Sequence, residues 1–281
     1  MSSDTDRPAP IPAEIVAYYS TTGVEAARLS RGRGRLERAR TQELLERYLA
    51  PAPAVILDVG GGPGVYACWL AQRGYTVHLI DAVPLHVEEA RLASSQQPDH
   101  PLASSAVGDA RQLDWPDESV DAVLLLGPLY HLTEPTDRSA ALREARRVLR
   151  PGGLVLAVGI ARFATALYGL FQDCLDEPGY LDIMARDLAD GQHRGRSEPP
   201  LNFTTAYLHR PEELATEFAE AGLCHETTLA IEGVGWLLQD LDQQWADPDH
   251  RQRLLDLLRT LEAEPTMLGA SSHIMAVGRR R

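Results

Sequence analysis

The chain has 281 residues, 24% of them charged and 44% hydrophobic, and its formal net charge at pH 7 is −13. This composition predicts a globular protein built on one large domain, and the acidic excess argues against nucleic-acid binding, which needs a basic face. No apolar run approaches the roughly 20 residues of a membrane span, so we expect no membrane partner either.

The N-terminal part predicts a leader followed by a helical cap. Residues 1–12 are polar and contain proline, which predicts a disordered leader and neither a signal nor a transit peptide, so we expect a cytoplasmic location. Residues 13–53 predict helices over 13–19 and 36–49, and the second ends before a proline-rich stretch. This cap either folds over a ligand cleft as a lid or packs on the edge of a sheet.

Residues 54–160 alternate between short apolar runs and helix-compatible segments. Such alternation predicts parallel strands joined by right-handed helical crossovers, with helices on both faces of the sheet. With two later apolar runs, the predicted fold class is α/β, a doubly wound, mostly parallel seven-stranded sheet. The predicted strands are 54–59, 76–81, 103–107, 120–126, 154–160, 224–231 and 271–277, and the predicted helices are 65–72, 85–95, 139–149, 211–221, 236–245 and 250–262.

Residues 161–209 interrupt this alternation. They contain helix-compatible pieces at 164–175 and 180–189, followed by a loop over 191–201. A segment this long inside a compact fold is usually functional. We therefore predict a helical insertion that forms a lid over the ligand cleft, after which residues 210–281 complete the sheet domain.

Four glycines within five positions follow the first apolar run, in the stretch from Val55 to Gly64. They let the backbone turn tightly and approach a ligand, and the next helix begins with unpaired N–H groups. The run Gly62-Pro63-Gly64-Val65-Tyr66-Ala67 fits the dinucleotide pattern G-x-G-x-x-A, so NAD binding is one interpretation. Asp81, which ends the second strand, would accept hydrogen bonds from the ribose hydroxyls of NAD or of another adenosine ligand.

Further stretches distinguish these ligands. Asp58 precedes the glycines, Gly108-Asp109-Ala110-Arg111-Gln112-Leu113 follows the third strand, and Leu126-Gly127-Pro128-Leu129-Tyr130-His131-Leu132 follows the fourth. In this order and spacing, residues 54–160 resemble the class I S-adenosylmethionine-dependent methyltransferases, particularly their small-molecule group, and weaker similarity continues over 203–214. The resemblance implies S-adenosylmethionine as cofactor, S-adenosylhomocysteine as product, and methyl transfer to an O, N or C atom of a small-molecule acceptor in specialised metabolism.

The resemblance also implies a set of cofactor-binding residues. Gly60 and Gly62 would lie under the methionine part of the cofactor, and Asp58 would order their loop from beneath. The other implied contacts are Asp81 with the ribose hydroxyls, Ala82 with the adenine ring, Asp109 and the backbone of Ala110 with the adenine edge, and the carbonyl of Leu126 beside Gly127 with the ammonium group. Tyr19 of the cap completes this set.

Tyr130 and His131 are the catalytic candidates, because they follow the fourth strand at the cleft where open α/β sheets bind ligands. His131 could act as a base toward an acceptor O–H or N–H, and packing against the lid is the alternative. Arg194 and Arg196 could hold an anionic acceptor or form a solvated arginine loop. The candidates for the acceptor pocket are Tyr19, Arg162, Phe163, Tyr168, His193, Arg194, Tyr207 and Trp236.

Other chemistries lack the residues they need. The basic side chains are all arginine, and without lysine there is no Schiff-base, pyridoxal-phosphate or phosphate-loop lysine chemistry. The cysteines Cys68, Cys174 and Cys224 are far apart, which predicts free thiols and no zinc motif, and the histidines show no metal-binding spacing. We therefore expect no metal site.

Three alternatives remain open beside a small-molecule methyltransferase. Methylation of a peptide or protein side chain would need an open groove instead of a closed lid. A non-catalytic S-adenosylmethionine-binding module would have its acceptor cleft filled by bulky side chains. An NAD oxidoreductase is the least favoured interpretation. For the oligomeric state we expect a monomer or a homodimer.

Overall fold

The apolar runs of the sequence form buried strands. The protein is described by a computed structural model that covers residues 8, 10–20, 24–194 and 203–281. Strand side chains alternate between the two faces of the sheet, and almost every one of them in the central strands is buried. The strands are β1 Val55–Val59, β2 Thr76–Asp81, β3 Ser104–Val107, β4 Val120–Leu125, β5 Leu149–Ala161, β6 Gln192–His193, β7 Ala206–His209, β8 Leu223–Ala230 and β9 His273–Arg280.

The sheet confirms the predicted fold class. Strands β3, β2, β1, β4 and β5 lie side by side and run parallel. On the other side of β5, β9 runs antiparallel, and β8 pairs with β9 in turn. These are the seven predicted strands, and only β9 opposes the direction of the other six. The carboxyl ends of β1, β2 and β4 therefore meet at one edge.

The strand count is larger than predicted. The described part of the chain contains nine strands in this sheet, because β6 and β7 of the insertion add to it. The last residues of β5 extend beyond the end of β4 and pair on that side with β7, with Ile160 opposite Leu208, and β6 pairs with β7. Part of the predicted loop 191–201 is therefore a strand, and residues 195–202 lie outside the described residues.

Helices cover both faces of the sheet, as predicted. One face packs Leu57 and Leu125 against α7 (Pro135–Val148) and α10 (Pro211–Glu220). The other face packs Ile56 and Leu124 against α3 (Gly32–Tyr48), α4 (Val65–Ala71) and α5 (Pro84–Ser95). No described helix is long and apolar enough to cross a membrane. The helices are α1 Ala13–Tyr19, α2 Val24–Arg28, α3 Gly32–Tyr48, α4 Val65–Ala71, α5 Pro84–Ser95, α6 Pro128–His131, α7 Pro135–Val148, α8 Ala164–Phe171, α9 Tyr180–Asp190, α10 Pro211–Glu220, α11 Leu241–Ala246 and α12 Pro248–Leu261.

The helix predicted over 236–245 is wrong over residues 236–240. Residues Gly233–Leu237 form a 3-10 turn, the chain becomes extended at Leu238, and α11 starts only at Leu241. The buried Trp236 explains the break, because its indole N–H donates to the carbonyl of Ala270 at 2.8 Å and holds the turn against the core. A tertiary hydrogen bond therefore overrides the local helical pattern.

Candidate functional site

The glycine loop is tied to the end of β2. The Gly60 N–H donates to the Ile80 carbonyl at 2.7 Å, and the Gly62 N–H donates to Asp81 Oδ2 at 2.8 Å. Both glycines have positive φ, +71° and +56°, which other residues rarely adopt. A Cβ on Gly60 would lie 2.5 Å from the Pro128 ring, whereas at Gly62 the nearest atom would be 3.9 Å away. The loop therefore packs tightly against Pro128 at Gly60, whereas a Cβ at Gly62 would make only an ordinary contact with His86 Nδ1.

Asp81 is buried at the end of β2 and connects this strand to the loop. Besides Gly62, its carboxylate accepts hydrogen bonds from the Val83 N–H at 2.8 Å and from His86 Nδ1 at 3.3 Å. Burial lowers the pKa of His86, but the hydrogen bond and charge of Asp81 outweigh it and raise the pKa overall. These bonds fix the Asp81 carboxylate where an adenosine ribose is expected.

Asp58 lies beneath the glycine loop without a hydrogen-bond partner. It is 1% exposed, and among the described residues neither carboxylate oxygen has a partner. A Cβ on Gly61 would lie 2.7 Å from Asp58 Oδ2, so the loop packs directly over the carboxylate. Burial, and then the charge of Asp81, raise the pKa of Asp58 to about 7. The Gly60 and Gly62 N–H groups donate to other acceptors, so Asp58 does not order the loop through them.

Asp109 is held by the arginine that follows it. Arg111 Nη2 lies 2.6 Å from Asp109 Oδ2, the Arg111 backbone N–H donates to Asp109 Oδ1 at 2.9 Å, and Arg111 Nη1 reaches Asp137 at 2.9 Å. Ala110 between them is buried. Because a carboxylate oxygen accepts more than one hydrogen bond, Asp109 keeps capacity for a further donor.

Both nitrogens of His131, in α6 after β4, already have partners. Nδ1 lies 3.2 Å from the Thr205 carbonyl, which can only accept, so we assign the proton to Nδ1. Nε2 then accepts from the Tyr19 hydroxyl at 2.9 Å. Burial lowers the pKa of His131 to about 4, so the ring is neutral at pH 7. This state makes His131 a weak base as it stands, and the Tyr130 ring packs beside it at 4.6 Å.

The structure brings all the predicted catalytic and cofactor-binding residues together. They line one cavity between the glycine loop, the carboxyl end of β4 and the cap helices α1 and α3. A Cβ on Gly127 would lie 3.3 Å from the Gly60 carbonyl and 3.6 Å from the Tyr130 hydroxyl, so this glycine permits close packing there. The residues concerned are Tyr19, Asp58, Gly60, Gly62, Asp81, Ala82, Asp109, Ala110, Leu126, Gly127, Tyr130 and His131.

Most of the predicted acceptor-pocket residues lie elsewhere. Of that set, Tyr19 is the one described residue that lines this cavity. Arg162 is buried and bonds Leu208 and Glu213, and His193 is buried against Asp187 at 2.8 Å. Three aromatic rings of the set pack against arginines: Phe163 against Arg210, Tyr168 against Arg33 and Tyr207 against Arg138. Trp236 donates to the Ala270 carbonyl. Arg194 bonds Gln192, and Arg196 lies outside the described residues.

The cap helices bring a charged group to the cavity, and sequence reasoning missed its member Glu37. Arg28 of α2 pairs with Glu25 at 2.8 Å and with both oxygens of Glu37 in α3, one of them at 3.0 Å. These three side chains line the cavity beside Tyr19. The Glu25-to-Arg28 spacing of a helical ion pair was a signal, but it carried no information about which face meets the cleft.

A second missed pair lies behind Glu37. His273, at the start of β9, has Nδ1 2.6 Å from Glu232 Oε1, and Glu232 also accepts from the Ser271 hydroxyl at 3.1 Å. Burial lowers the pKa of His273, but Glu232 and Glu37 outweigh it and raise the pKa to about 8. The ligand atoms of Glu37, Glu232 and His273 lie within 4.8 Å of one another, which a metal ion could use only if His273 lost its proton. Residues this far apart in sequence form no recognisable motif.

Comparison with known proteins identifies the family. A model of the methyltransferase domain matches residues 57–157. The chain is 33% identical over 187 residues to an uncharacterized methyltransferase of Mycobacterium tuberculosis, which covers 64% of this chain and 67% of that protein. It is 35% identical over 129 residues to the ubiquinone/menaquinone biosynthesis C-methyltransferase UbiE of Caulobacter vibrioides, covering 42% of this chain and 48% of UbiE.

The solved structures agree with these sequence matches. The crystal structure of a SAM-dependent methyltransferase from Methanosarcina mazei has a TM-score of 0.59, with 20% identity over 84% of this chain and 96% of that chain. At this identity the likeness concerns the fold. The matched share of the first curated relatives' own length ranges from 40% to 67%. By its sequence matches and its fold, the chain belongs to the class I S-adenosylmethionine-dependent methyltransferases.

Proposed function

We propose that this protein transfers a methyl group from S-adenosylmethionine to an O, N or C atom of a small-molecule acceptor. The family membership supports the reaction type, and the cavity supports the residues named for it. A relative named for quinone biosynthesis acts on a small molecule by its name, which favours an acceptor of that size. A role in specialised metabolism remains a prediction, and identification of the acceptor would test it.

The observation that carries the proposal is the unpartnered Asp58 carboxylate under the glycine loop. A buried carboxylate without a partner is costly, and the cofactor's ammonium group would supply the missing partner. Gly62 lines the same cavity and has no side chain, so the methionine chain can approach the loop backbone there. These two features fit S-adenosylmethionine, whereas the pyrophosphate of NAD would bring further negative charge to Asp58.

The mechanism follows from positioning. When bound, S-adenosylmethionine supplies a methyl group already activated by a sulfonium, so transfer needs alignment and exclusion of water more than acid–base chemistry. Asp81 would hold the ribose hydroxyls, and Asp109 would accept from the adenine amino group. Tyr130 and His131 would close the methyl end of the cavity. For His131 to take an acceptor proton, Tyr19 would have to release Nε2 first.

Contacts across the cleft support a small acceptor over a peptide. The Tyr19 hydroxyl bonds His131, and the Thr205 hydroxyl donates to Glu14 at 2.6 Å, so two side-chain bonds hold α1 over the cleft. A peptide needs an open groove, which these two bonds would close. A non-catalytic binding module is distinguished by turnover, since it would bind cofactor without transferring a methyl group to any acceptor.

Calorimetric titration tests the identity of the methyl donor. We expect S-adenosylhomocysteine to bind and NAD to give no heat of binding. Asp81→Asn should weaken S-adenosylhomocysteine at least tenfold, because two ribose hydroxyls lose a charged acceptor and each such bond contributes about 1.5–3 kcal/mol. The control Asp99→Asn changes an exposed aspartate and should leave affinity unchanged. If NAD binds and S-adenosylhomocysteine does not, the proposed function is rejected.

A further inference from the structure

We propose that Glu37 is the acceptor-recognising carboxylate of the cavity, and that the acceptor is a cationic amine or a neutral hydroxyl or amino compound, not an anion. This inference rests on the proposed function and adds the chemical class of the acceptor. It assigns a role to a cap residue outside every motif of the family resemblance.

The charge of the cavity lining is strongly negative. Six acidic side chains line it: Glu25, Glu37, Asp58, Asp81, Asp109 and Asp137. The arginines among its described lining residues are Arg28 and Arg111, and each is paired with two of these carboxylates. S-adenosylmethionine carries a single net positive charge, so its binding leaves the lining negative. An anionic acceptor would meet repulsion in a site that excludes water and screens charges weakly.

Glu37 is the carboxylate placed to meet the acceptor. The predicted cofactor contacts use Asp58, Asp81 and Asp109, and Asp137 pairs with Arg111 at the adenine end. Glu37 belongs instead to α3 of the cap and lines the same cavity as Tyr130. Arg28 donates to it, and its carboxylate lies within 4.8 Å of the ligand atoms of Glu232 and His273.

The pairing of Glu37 leaves it able to accept further hydrogen bonds. Arg28 donates one hydrogen bond to each Glu37 oxygen, and each carboxylate oxygen has a second lone pair. Its side chain is 14% exposed, and that surface lies in the cavity. An acceptor O–H or N–H can therefore donate to Glu37 without breaking the Arg28 pair.

This inference replaces an expectation about the acceptor. Arg194 and Arg196 suggested a carboxylate or phosphate acceptor, but Arg194 is exposed and bonds Gln192 outside the cavity. Among the described residues, no arginine lining the cavity lacks a carboxylate partner. The described lining thus offers carboxylates to an O–H or N–H group of the acceptor, and it offers no unpaired arginine to an anionic group.

Three probes of one shape test the acceptor class. Benzylamine, benzyl alcohol and benzoate share a ring and differ in charge, and their affinities are measured by ligand-observed NMR on protein saturated with S-adenosylhomocysteine. We expect benzylamine to bind at least tenfold more tightly than benzoate, with benzyl alcohol between them. Glu37→Gln should reduce that ratio to threefold or less and leave S-adenosylhomocysteine affinity within twofold. Glu46→Gln, an exposed glutamate of the same helix paired with Arg73, should change neither value.

Three results would overturn the inference. Benzoate binding as tightly as benzylamine to wild type would reject the acceptor class without any variant. A Glu37→Gln ratio equal to that of Glu46→Gln would reject the role of Glu37. A loss of S-adenosylhomocysteine affinity with an unchanged probe ratio would move Glu37 to the cofactor site. Glu37→Asp, which keeps the charge, replaces Glu37→Gln if the latter fails to fold and should retain most of the ratio. Failure of wild type to bind S-adenosylhomocysteine would instead reject the proposed function.

Discussion

At the scale of single residues, Asp58 and His131 show how burial sets the chemistry of the site. Both are titratable groups at the carboxyl edge of the sheet, and burial disfavours the charged form of each. Asp58 has its pKa raised to about 7, and His131 has its pKa lowered to about 4. In the ligand-free protein His131 is therefore neutral at pH 7, whereas Asp58 is about half protonated. A cationic ligand beside Asp58 would change that balance.

The first prediction concerns the pH dependence of cofactor affinity. If the ammonium group binds beside Asp58, the pKa of Asp58 falls in the complex, and affinity for S-adenosylhomocysteine rises as pH increases from 5.5 to 7. A single linked proton gives up to about tenfold per pH unit. Asp58→Asn should flatten this part of the profile, measured by calorimetry at several pH values. Equal slopes for wild type and variant would show that Asp58 is not the linked group.

At the scale of elements, the placement of α1 depends on a few contacts. The helix has seven residues, and no side chain caps its N-terminus. Isolated helices this short are marginal in water, so tertiary contacts must hold it. They include the buried Ile15, the Glu14 bond to Thr205 and the Tyr19 bond to His131. The rings of Tyr18 and Tyr19 also pack against Phe203 and His86. We infer that α1 is the element most easily released from the cleft.

The second prediction tests that inference. Tyr19→Phe keeps the ring and removes the donor to His131 Nε2, a bond worth about 1 kcal/mol. Hydrogen exchange of the α1 amides should accelerate roughly five- to tenfold, while amides of β1 and β4 keep their rates. Tyr75→Phe removes a hydroxyl that bonds Ala50 at 2.8 Å away from the cleft, and it should leave α1 unchanged. Unaltered α1 exchange in Tyr19→Phe would mean that other contacts hold the helix.

At the scale of the whole molecule, the two buried groups affect stability in opposite directions. The folded-state pKa of His131 lies below its ordinary value of 6.5, so its contribution is present above pH 6.5 and is lost as pH falls toward about 4. The pKa of Asp58 is raised from 3.8, so its contribution is complete below pH 3.8 and is lost as pH rises to about 7. Between pH 7 and 4 the two changes largely cancel.

The third prediction separates them. Asp58→Asn removes the buried carboxyl whose ionisation destabilises the folded protein at neutral pH, and it leaves the contribution of His131 to stability unchanged. The variant should therefore be more stable relative to wild type at pH 7.5 than at pH 4, by up to about 4 kcal/mol from the size of the pKa shift. Urea unfolding at both pH values measures this difference, and any packing change cancels in the comparison. A pH-independent difference would contradict the raised pKa of Asp58.

The accuracy of the sequence predictions followed the range of the interactions involved. The strand, loop and helix around Gly60 were predictable because apolar runs and glycines act over a few residues. The helix predicted over 236–245 failed because the indole of Trp236 bonds Ala270, 34 positions away. The extra strands β6 and β7 were missed because they pair only with each other and with the tip of β5. None of these partners is visible in a local pattern.

The sequence by itself determined the parallel sheet and the residues that end its strands, Asp81 and Asp109 among them. Strand ends converge on one edge in any such sheet, so their order in the chain also set their place in the site. Only the tertiary structure decided that Glu37 lines the cavity beside Arg28, that the pKa of Asp58 is raised and that His131 is neutral. Charge state depends on neighbours that come from distant parts of the chain, and folding alone brings those neighbours together.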